Sequence, residues 1–262
     1  MPRRLQFSLR TVLILTAVLA ALLGWWSYKA RQQRDAVAAI VKVGGTVIYD
    51  FQKFKLKRPP HWPEWLIDKL GVDYFACVTD VQFVSANRIE RTKVIDADLE
   101  HLKVLASLQG IWLQSSQVSG VGLEHLKGLS ALQRLNLWDT EVDDASLEHL
   151  QRMTALNELW IGNTRITDTG MKCLTGLSGL QRLGIDDTRV TDIGLEHLKG
   201  LTILRELYLG NTQITDGGLE HLKGLTALQA LDLHNTRVTD AGVARLQKAL
   251  PKCKIFTDIS PR

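Results

Sequence analysis

From Asp96 onward the apolar residues recur in a fixed order every 24 residues, with units beginning at Asp96, Gly120, Asp144, Asp168, Asp192 and Asp216 and a partial one at Asp240. The sixth unit reads DGGLEHLKGLTALQALDLHNTRVT. Two periodicities alternate inside it. Leu219 and Leu222 lie three apart and share one face of a helix, while Glu220, His221 and Lys223 face water. Leu231 and Leu233 are two apart and point to one face of a strand. The Thr215-Asp216 pair offers side-chain oxygens to the helix's first free amides. Gly224 is expected to release the chain from the helix. Thr140, Thr164, Thr188, Thr212 and Thr236 form a column of buried hydroxyls that must hydrogen-bond, most simply to neighbouring turns. One unit cannot bury its leucines alone, but stacked units can. The predicted fold is therefore α/β: a right-handed solenoid over 96–239 with parallel strands on the concave face and helices on the convex face. Residues 240–262, where Pro251 and Lys252 interrupt the unit and a last strand follows over 254–257, read as the C-terminal cap.

Upstream the pattern is different. Residues 11–26 (TVLILTAVLAALLGWW) carry no charge. At about 1.5 Å per residue they span about 24 Å, a little less than a bilayer core. Phe7 and Leu9 extend the run while Arg10 snorkels outward, and Trp25, Trp26 and Tyr28 fall where an interfacial aromatic belt belongs. Residues 1–10 form a basic tail and 11–28 a transmembrane signal anchor. A cleaved signal and a buried soluble helix are the competing readings, but Leu22–Tyr28 offers no pair of small residues for cleavage. Residues 29–95 read as a juxtamembrane helix (29–43, with Ala36, Val37, Ile40 and Val41 as its apolar stripe) and an N-terminal cap. Gly44-Gly45 ends that helix, 46–51 and 78–84 read as strands, and 63–70 as a short helix.

Charge sharpens this division. Residues 1–58 hold eleven Lys/Arg and two acids, a net of +9, and the rest carries −5. A basic front on an acidic body points to a membrane surface near the N-terminus and away from nucleic acid. Arg3, Arg4 and Arg10 against Lys29, Arg31 and Arg34 leave the positive-inside rule nearly balanced, and the signal-like order of basic tail and apolar run places the expected single-pass protein with its solenoid on the extracytoplasmic side. Cys77, Cys173 and Cys253 match no metal spacing and read as small hydrophobes.

Units ending in Ile-Thr-Asp, as at Ile166-Thr167-Asp168 and Ile214-Thr215-Asp216, resemble the leucine-rich repeat family. The front of the chain, around 7–15 and 36–45, is similar to short bacterial membrane-anchored proteins of that repeat type. The resemblance covers some 160 residues. It implies protein–protein recognition without naming a partner.

Candidate chemistry sits at the outward strand positions. Trp112, Trp160 and Tyr208 occur at every second repeat, which at about 4.8 Å per strand places the rings about 9.6 Å apart, with Trp138 beside the first two. Exposed aromatics on a concave surface are interface anchors; the alternative is that the rings only cover strand backbone and each other. Arg134, Glu158, Arg182 and Glu206 alternate in sign and should form a cross-strand ladder that fixes register. Asp186 and His234 complete the candidate partner-binding set. The histidine row (His101, His125, His149, His197, His221) lies on successive helices, too far apart for one metal, and reads as a solvated row. The Asx column (Asp139, Asn163, Asp187, Asn211, Asn235) reads as turn geometry. Nucleotide-binding, zinc-protease, serine-hydrolase and paired-cysteine signatures are absent. No catalytic residue, metal or cofactor is expected. The leading expectation is a membrane-tethered module that binds an unknown protein or peptide. The rival is a structural envelope protein that self-associates through its repeats.

Overall fold

The computed structural model describes residues 9–57, 59, 62–83 and 91–258. Arg3, Arg4 and Phe7 of the predicted tail and span, Arg58 and Pro60 of the basic stretch, and the last residue of the predicted 78–84 strand lie outside the described residues. The juxtamembrane helix is not a separate element: a single helix, α1 (Leu9–Lys42), runs through both segments. Gly44, at φ 87°, ends it in a conformation that L side chains avoid. A Cβ on Gly45 would strike Ile40 and Phe83 at 2.6 Å, so the chain must pass here without a side chain.

One nine-stranded sheet follows in sequence order: β1 (Thr46–Tyr49), β2 (Val78–Gln82), β3 (Gly110–Trp112), β4 (Arg134–Asn136), β5 (Glu158–Trp160), β6 (Arg182–Gly184), β7 (Glu206–Tyr208), β8 (Ala230–Asp232) and β9 (Lys254–Phe256). β1 pairs antiparallel with β2, and every later pair is parallel. Within the repeats each residue faces its equivalent 24 positions away, as Leu135, Leu159 and Leu183 do. The strand expected over 46–51 stops at Tyr49, where the Gln52 side chain accepts the Tyr49 amide and a 3₁₀ turn (Asp50–Phe54) begins. α2 (Glu64–Leu70) lies before β2.

The convex side carries less helix than the leucine spacing predicts. α3 (Gly120–Glu124), α4 (Asp168–Met171) and α5 (Asp192–Leu195) are one turn or little more. Units one and three use 3₁₀ turns alone (Asp96–Val104 and Ala145–Leu150). Only α6 (Asp216–Leu222) and α7 (Asp240–Ala249) reach two turns. An α-helix is about 10 Å wide and strands lie about 4.8 Å apart, so the narrower 3₁₀ turn stacks with less fanning of the sheet.

The repeat leucines make one continuous core. Leu126, Leu132, Leu159, Leu183 and Leu207 are wholly shielded, and each such burial contributes about 2 kcal/mol. The α1 stripe differs slightly from expectation. Ala30, Ala36 and Ile40 are buried and Val37 packs against the core, whereas Val41 is exposed. Gln33 joins this face, donating to the Ala76 carbonyl at 2.8 Å and accepting from the Val78 amide. The first repeat is thereby covered by α1, β1 and β2.

Gly224 follows the end of α6 as expected, with ordinary backbone and open space around it, and Val104 and Arg152 hold the same position in other units. The threonine column does not bridge turns. Each hydroxyl donates within its own turn, Thr140 to Leu137, Thr164 to Ile161, Thr188 to Ile185 (2.6 Å each), Thr212 to Leu209 at 2.5 Å and Thr236 to Leu233 at 2.8 Å. The reason is reach: a threonine three residues past a carbonyl closes on it more readily than on a strand about 4.8 Å away.

The unit's first aspartate is the true inter-repeat link. Thr167, Thr191, Thr215 and Thr239 cap their helices, as expected of the Thr-Asp pair. The aspartates instead reach forward one unit. Asp144 accepts the Thr167 amide (2.8 Å) and hydroxyl (2.6 Å), and Asp168, Asp192 and Asp216 do the same for Thr191, Thr215 and Thr239. The glycine two residues after each aspartate is explained by the same contact. A Cβ on Gly170, Gly194, Gly218 or Gly242 would lie 2.1–2.5 Å from an oxygen of the preceding unit's aspartate. Unit two begins with Gly120 instead, and there the next unit carries Ser146 in place of glycine, 2.7 Å from where a Gly120 Cβ would stand.

Candidate functional site

The concave face is built from side chains that flank the inward leucines of β3 to β8. Every unit turns out of its strand through a residue in the left-handed region: Ser115, Asp139, Asn163, Asp187, Asn211 and Asn235, at φ 49–57°. Asn and Asp tolerate this conformation because their short side chains bond locally. Asn163 donates to Asp139 at 3.0 Å and Asn235 to Asn211 at 2.7 Å, which stitches this edge of the sheet.

The aromatic residues come together more closely than their spacing predicts. Trp160 and Tyr208 lie 5.0 Å apart at 43°, not about 9.6 Å. The cause is Gly184, which sits between them on β6. Its buried backbone leaves a gap, and the Trp160 ring lies in it, 2.3 Å from where a Cβ would be. Trp112 folds over Gly110 and Trp138 over Gly162 in the same way. Three of the four rings have a partner for their polar end. Trp138 donates to Asp186 at 3.1 Å, Trp160 to Glu158 at 2.8 Å, and the Tyr208 hydroxyl to Glu206 at 3.1 Å. Trp138 is the most open of the four, 37% exposed, and the others are half-buried.

Carboxylates surround this shelf. Burial raises the Asp186 carboxyl above its ordinary range, against the lowering effect of the Trp138 indole, and Asp187 and Asp232 push it the same way. His234 Nδ1 bonds the Asp232 carboxylate. Burial and the Glu206 charge raise the Tyr208 hydroxyl. The charge ladder runs beside the shelf. Arg182 lies 3.1 Å from Glu206 and 3.5 Å from Glu158, bordering a polar cleft of about 330 Å³ with Arg134, Arg205 and Gln229.

The ladder has a starting residue that the repeat pattern does not reveal. Asp80 on β2 is 2% exposed and binds Arg134 at 2.6 Å and Lys53 at 2.9 Å. Burial alone would raise its carboxyl, but hydrogen bonds from Lys53, Arg134 and Thr79 outweigh it and hold the group below the usual carboxylate range. Gly110 makes the contact possible, since a Cβ there would meet Asp80 at 2.3 Å. Arg134 also stands 5.7 Å over the Trp112 ring. A signal was present in the sequence: the one acid of the Val78–Gln82 strand, opposite the one unit whose ladder position is glycine.

Among the described residues no three His, Cys, Asp or Glu side chains gather as a metal site. The histidine row lies along the convex side. Residues Leu13–Lys42 hold a stretch long and apolar enough to cross a membrane, with only 6% of it buried; a membrane span and a signal sequence share those properties.

A leucine rich repeat family model matches residues 178–238. No curated protein matches the chain. Among solved structures, an internalin (inlF) of Listeria monocytogenes aligns at 22% identity and TM-score 0.51, covering 62% of this chain and 51% of that one. Internalin C2 (inlC2) of the same organism aligns at 21% identity and TM-score 0.51, covering 71% of this chain and 81% of that one. The chain thus spans about half the length of the inlF structure, and likeness at this identity concerns the fold.

Proposed function

We propose that this leucine-rich repeat protein is a membrane-tethered recognition module that docks a protein or peptide on its concave face. One observation carries the reading. Trp138, Trp160 and Tyr208 break the repeat at outward positions, and buried glycines hold the first two rings flat in a shelf whose polar ends are already paired. A shelf ordered before contact loses little side-chain freedom when a partner arrives. Repeat solenoids use such extended concave surfaces for binding. Asp186, His234 and the Arg134–Glu158–Arg182–Glu206 ladder border the shelf and give a partner polar contacts at its rim. The apolar half of α1 is the tether, exposed all round from Leu13 to Trp25.

The test is capture by the full membrane-embedded chain with chemical crosslinking. The Trp160→Ala/Tyr208→Ala double variant is expected to lose the captured partner while its circular dichroism stays that of the wild type. Unchanged capture by a folded double variant refutes the site. The described residues also leave the outer edge of β9 open, with Phe256 exposed, which favours pairing of two copies there as a second reading. A size that rises with concentration and falls on Phe256→Lys supports it; a monomer at all concentrations sinks it.

A further inference from the structure

We infer that Lys55, Lys57 and Trp62, together with Trp65 in the first turn of α2, lie in the headgroup region of an anionic bilayer, so that the solenoid stands fixed against the membrane instead of swinging on its tether. The inference rests on the proposed span. Its ground is a set of ring contacts at the end of the apolar run. Trp26 stacks on Trp62 with centroids 6.4 Å apart at 25°. It also meets Tyr74 and Phe75 edge-on at 5.6 and 5.9 Å, and Trp62 meets Phe75 at 4.8 Å. Trp62 therefore sits at the same height along α1 as Trp26. Whatever depth the end of the span takes, Trp62 takes it too.

Three further observations agree. Trp62 and Trp65 are 45% and 67% exposed, beside Trp25 at 61%. Tryptophans so placed in water leave large apolar rings uncovered, whereas a headgroup region accepts both the ring and its N–H. Next, a cleft of about 700 Å³ opens between α1 and residues 73–77 and 104–107, with Trp62 at its wall; Leu23, Trp25 and Trp26 line it from the exposed apolar part of α1, and Lys29 and Asp73 add charge. Finally, the charge is of the right sign. Lys55 and Lys57 are exposed, as are Lys29 and Arg31 on the next part of α1, each worth about 1 kcal/mol near an anionic surface. Immediately past this point α1 packs on the first repeat through Ala30, Gln33, Ala36 and Ile40, with no hinge between. The depth of Trp62 then sets the stance of the whole solenoid.

The experiment uses the full chain in vesicles, with a photoreactive benzoylphenylalanine at one position at a time and lipid adducts read by mass. The three variants are Leu19→benzoylphenylalanine in the span, Trp65→benzoylphenylalanine in α2, and Phe256→benzoylphenylalanine at the far end. Adducts are expected at 19 and 65 and none at 256. At 65 the yield should rise several-fold when phosphatidylglycerol joins phosphatidylcholine, and Lys55→Glu/Lys57→Glu should erase that rise. Adducts at 19 without any at 65 overturn the inference while the tether stands. No adduct at 19 removes the tether itself. Protein adducts at 65 in place of lipid assign the patch to a partner protein, and a yield at 65 indifferent to lipid charge overturns the role of the two lysines.

Discussion

The two edges of the repeat are built on opposite principles. Along the convex edge, Asp144, Asp168, Asp192 and Asp216 each reach the next unit's threonine over a glycine, Asp96 reaches Ser119 over Gly122 in the same way, and where Gly120 replaces the aspartate, Ser146 replaces the glycine and Asp143 the threonine. On the concave face the ladder positions keep a simple alternation, but the rings and glycines do not follow the 24-residue period. Trp112 lies over a glycine of its own strand, Trp160 over one a repeat away, and Trp138 over Gly162 beside Asp186. A period whose departures occur together is what stacking requires. Positions that break it without harm to stacking are free to serve something else.

The largest effect should come from breaking the convex contact. Gly170→Ser alone forces a Cβ onto Asp144 and should cost about 2 kcal/mol. Asp144→Gly alone removes two charge-assisted hydrogen bonds and should cost about as much, roughly 2 kcal/mol. Together they place a glycine and a serine as at Gly120 and Ser146, with Thr167 in the position from which Asp143 bonds Ser146, so the double variant should be at least about 1 kcal/mol better than the sum. Denaturant unfolding of all four proteins measures this. Strict additivity would show that the two positions do not answer to one another.

Next in size is Asp80, which lies at the end of the concave ladder yet behaves as part of the fold. Asp80→Ala leaves Arg134 and Lys53 without their shared carboxylate and should cost about 2 kcal/mol, less than a fully buried pair because both cations are partly exposed. The sign with pH follows from the lowered carboxyl. Its contribution is whole above the unfolded-state value of about 4 and is lost as pH falls through the lower folded-state value. The wild-type advantage over Asp80→Ala should therefore shrink on acidification. An advantage that stays constant into strong acid would detach it from ionisation.

These contacts show what a sequence makes legible. Leu219, Leu222, Leu231 and Leu233 declare their faces because burial acts on single residues at fixed spacing, and the 24-residue period then yields strand register directly. The direction of Thr236, the reach of Asp216 and the pairing of Asp80 with Arg134 depend on distances between units, which no one unit contains. The aromatic residues were visible and their separation was not, because Gly184 matters only through the ring that fills its gap. The single long α1 was obscured by its change of surroundings halfway, from exposed apolar to core-packed.

A smaller and more selective effect is expected at that gap. Gly184→Ala keeps every aromatic residue but moves the Trp160 ring off β6, since the new Cβ would stand 2.3 Å from it. The ring is at the surface and can shift, so stability should fall by only about 1 kcal/mol. Capture should fall as far as with Trp160→Ala, because the shelf is defined by where the ring lies. Full capture by Gly184→Ala would place recognition elsewhere on the face.

The least effect is expected where the sequence draws the eye most, at the alternating charges. Arg182 is half exposed and shared between Glu158 and Glu206, so water competes for each contact. Arg182→Met keeps the aliphatic cover of the strand and removes the charge, and should change stability by less than about 1 kcal/mol, the difference fading at high salt. Its neighbours also carry no desolvation burden comparable to Asp80: Glu206 remains partly exposed and can turn to solvent. If the ladder serves only register and solubility, capture by Arg182→Met should equal that of the wild type. A several-fold loss of capture with stability unchanged would instead make the ladder part of the docking face, and would move the boundary between fold and function by one column of side chains.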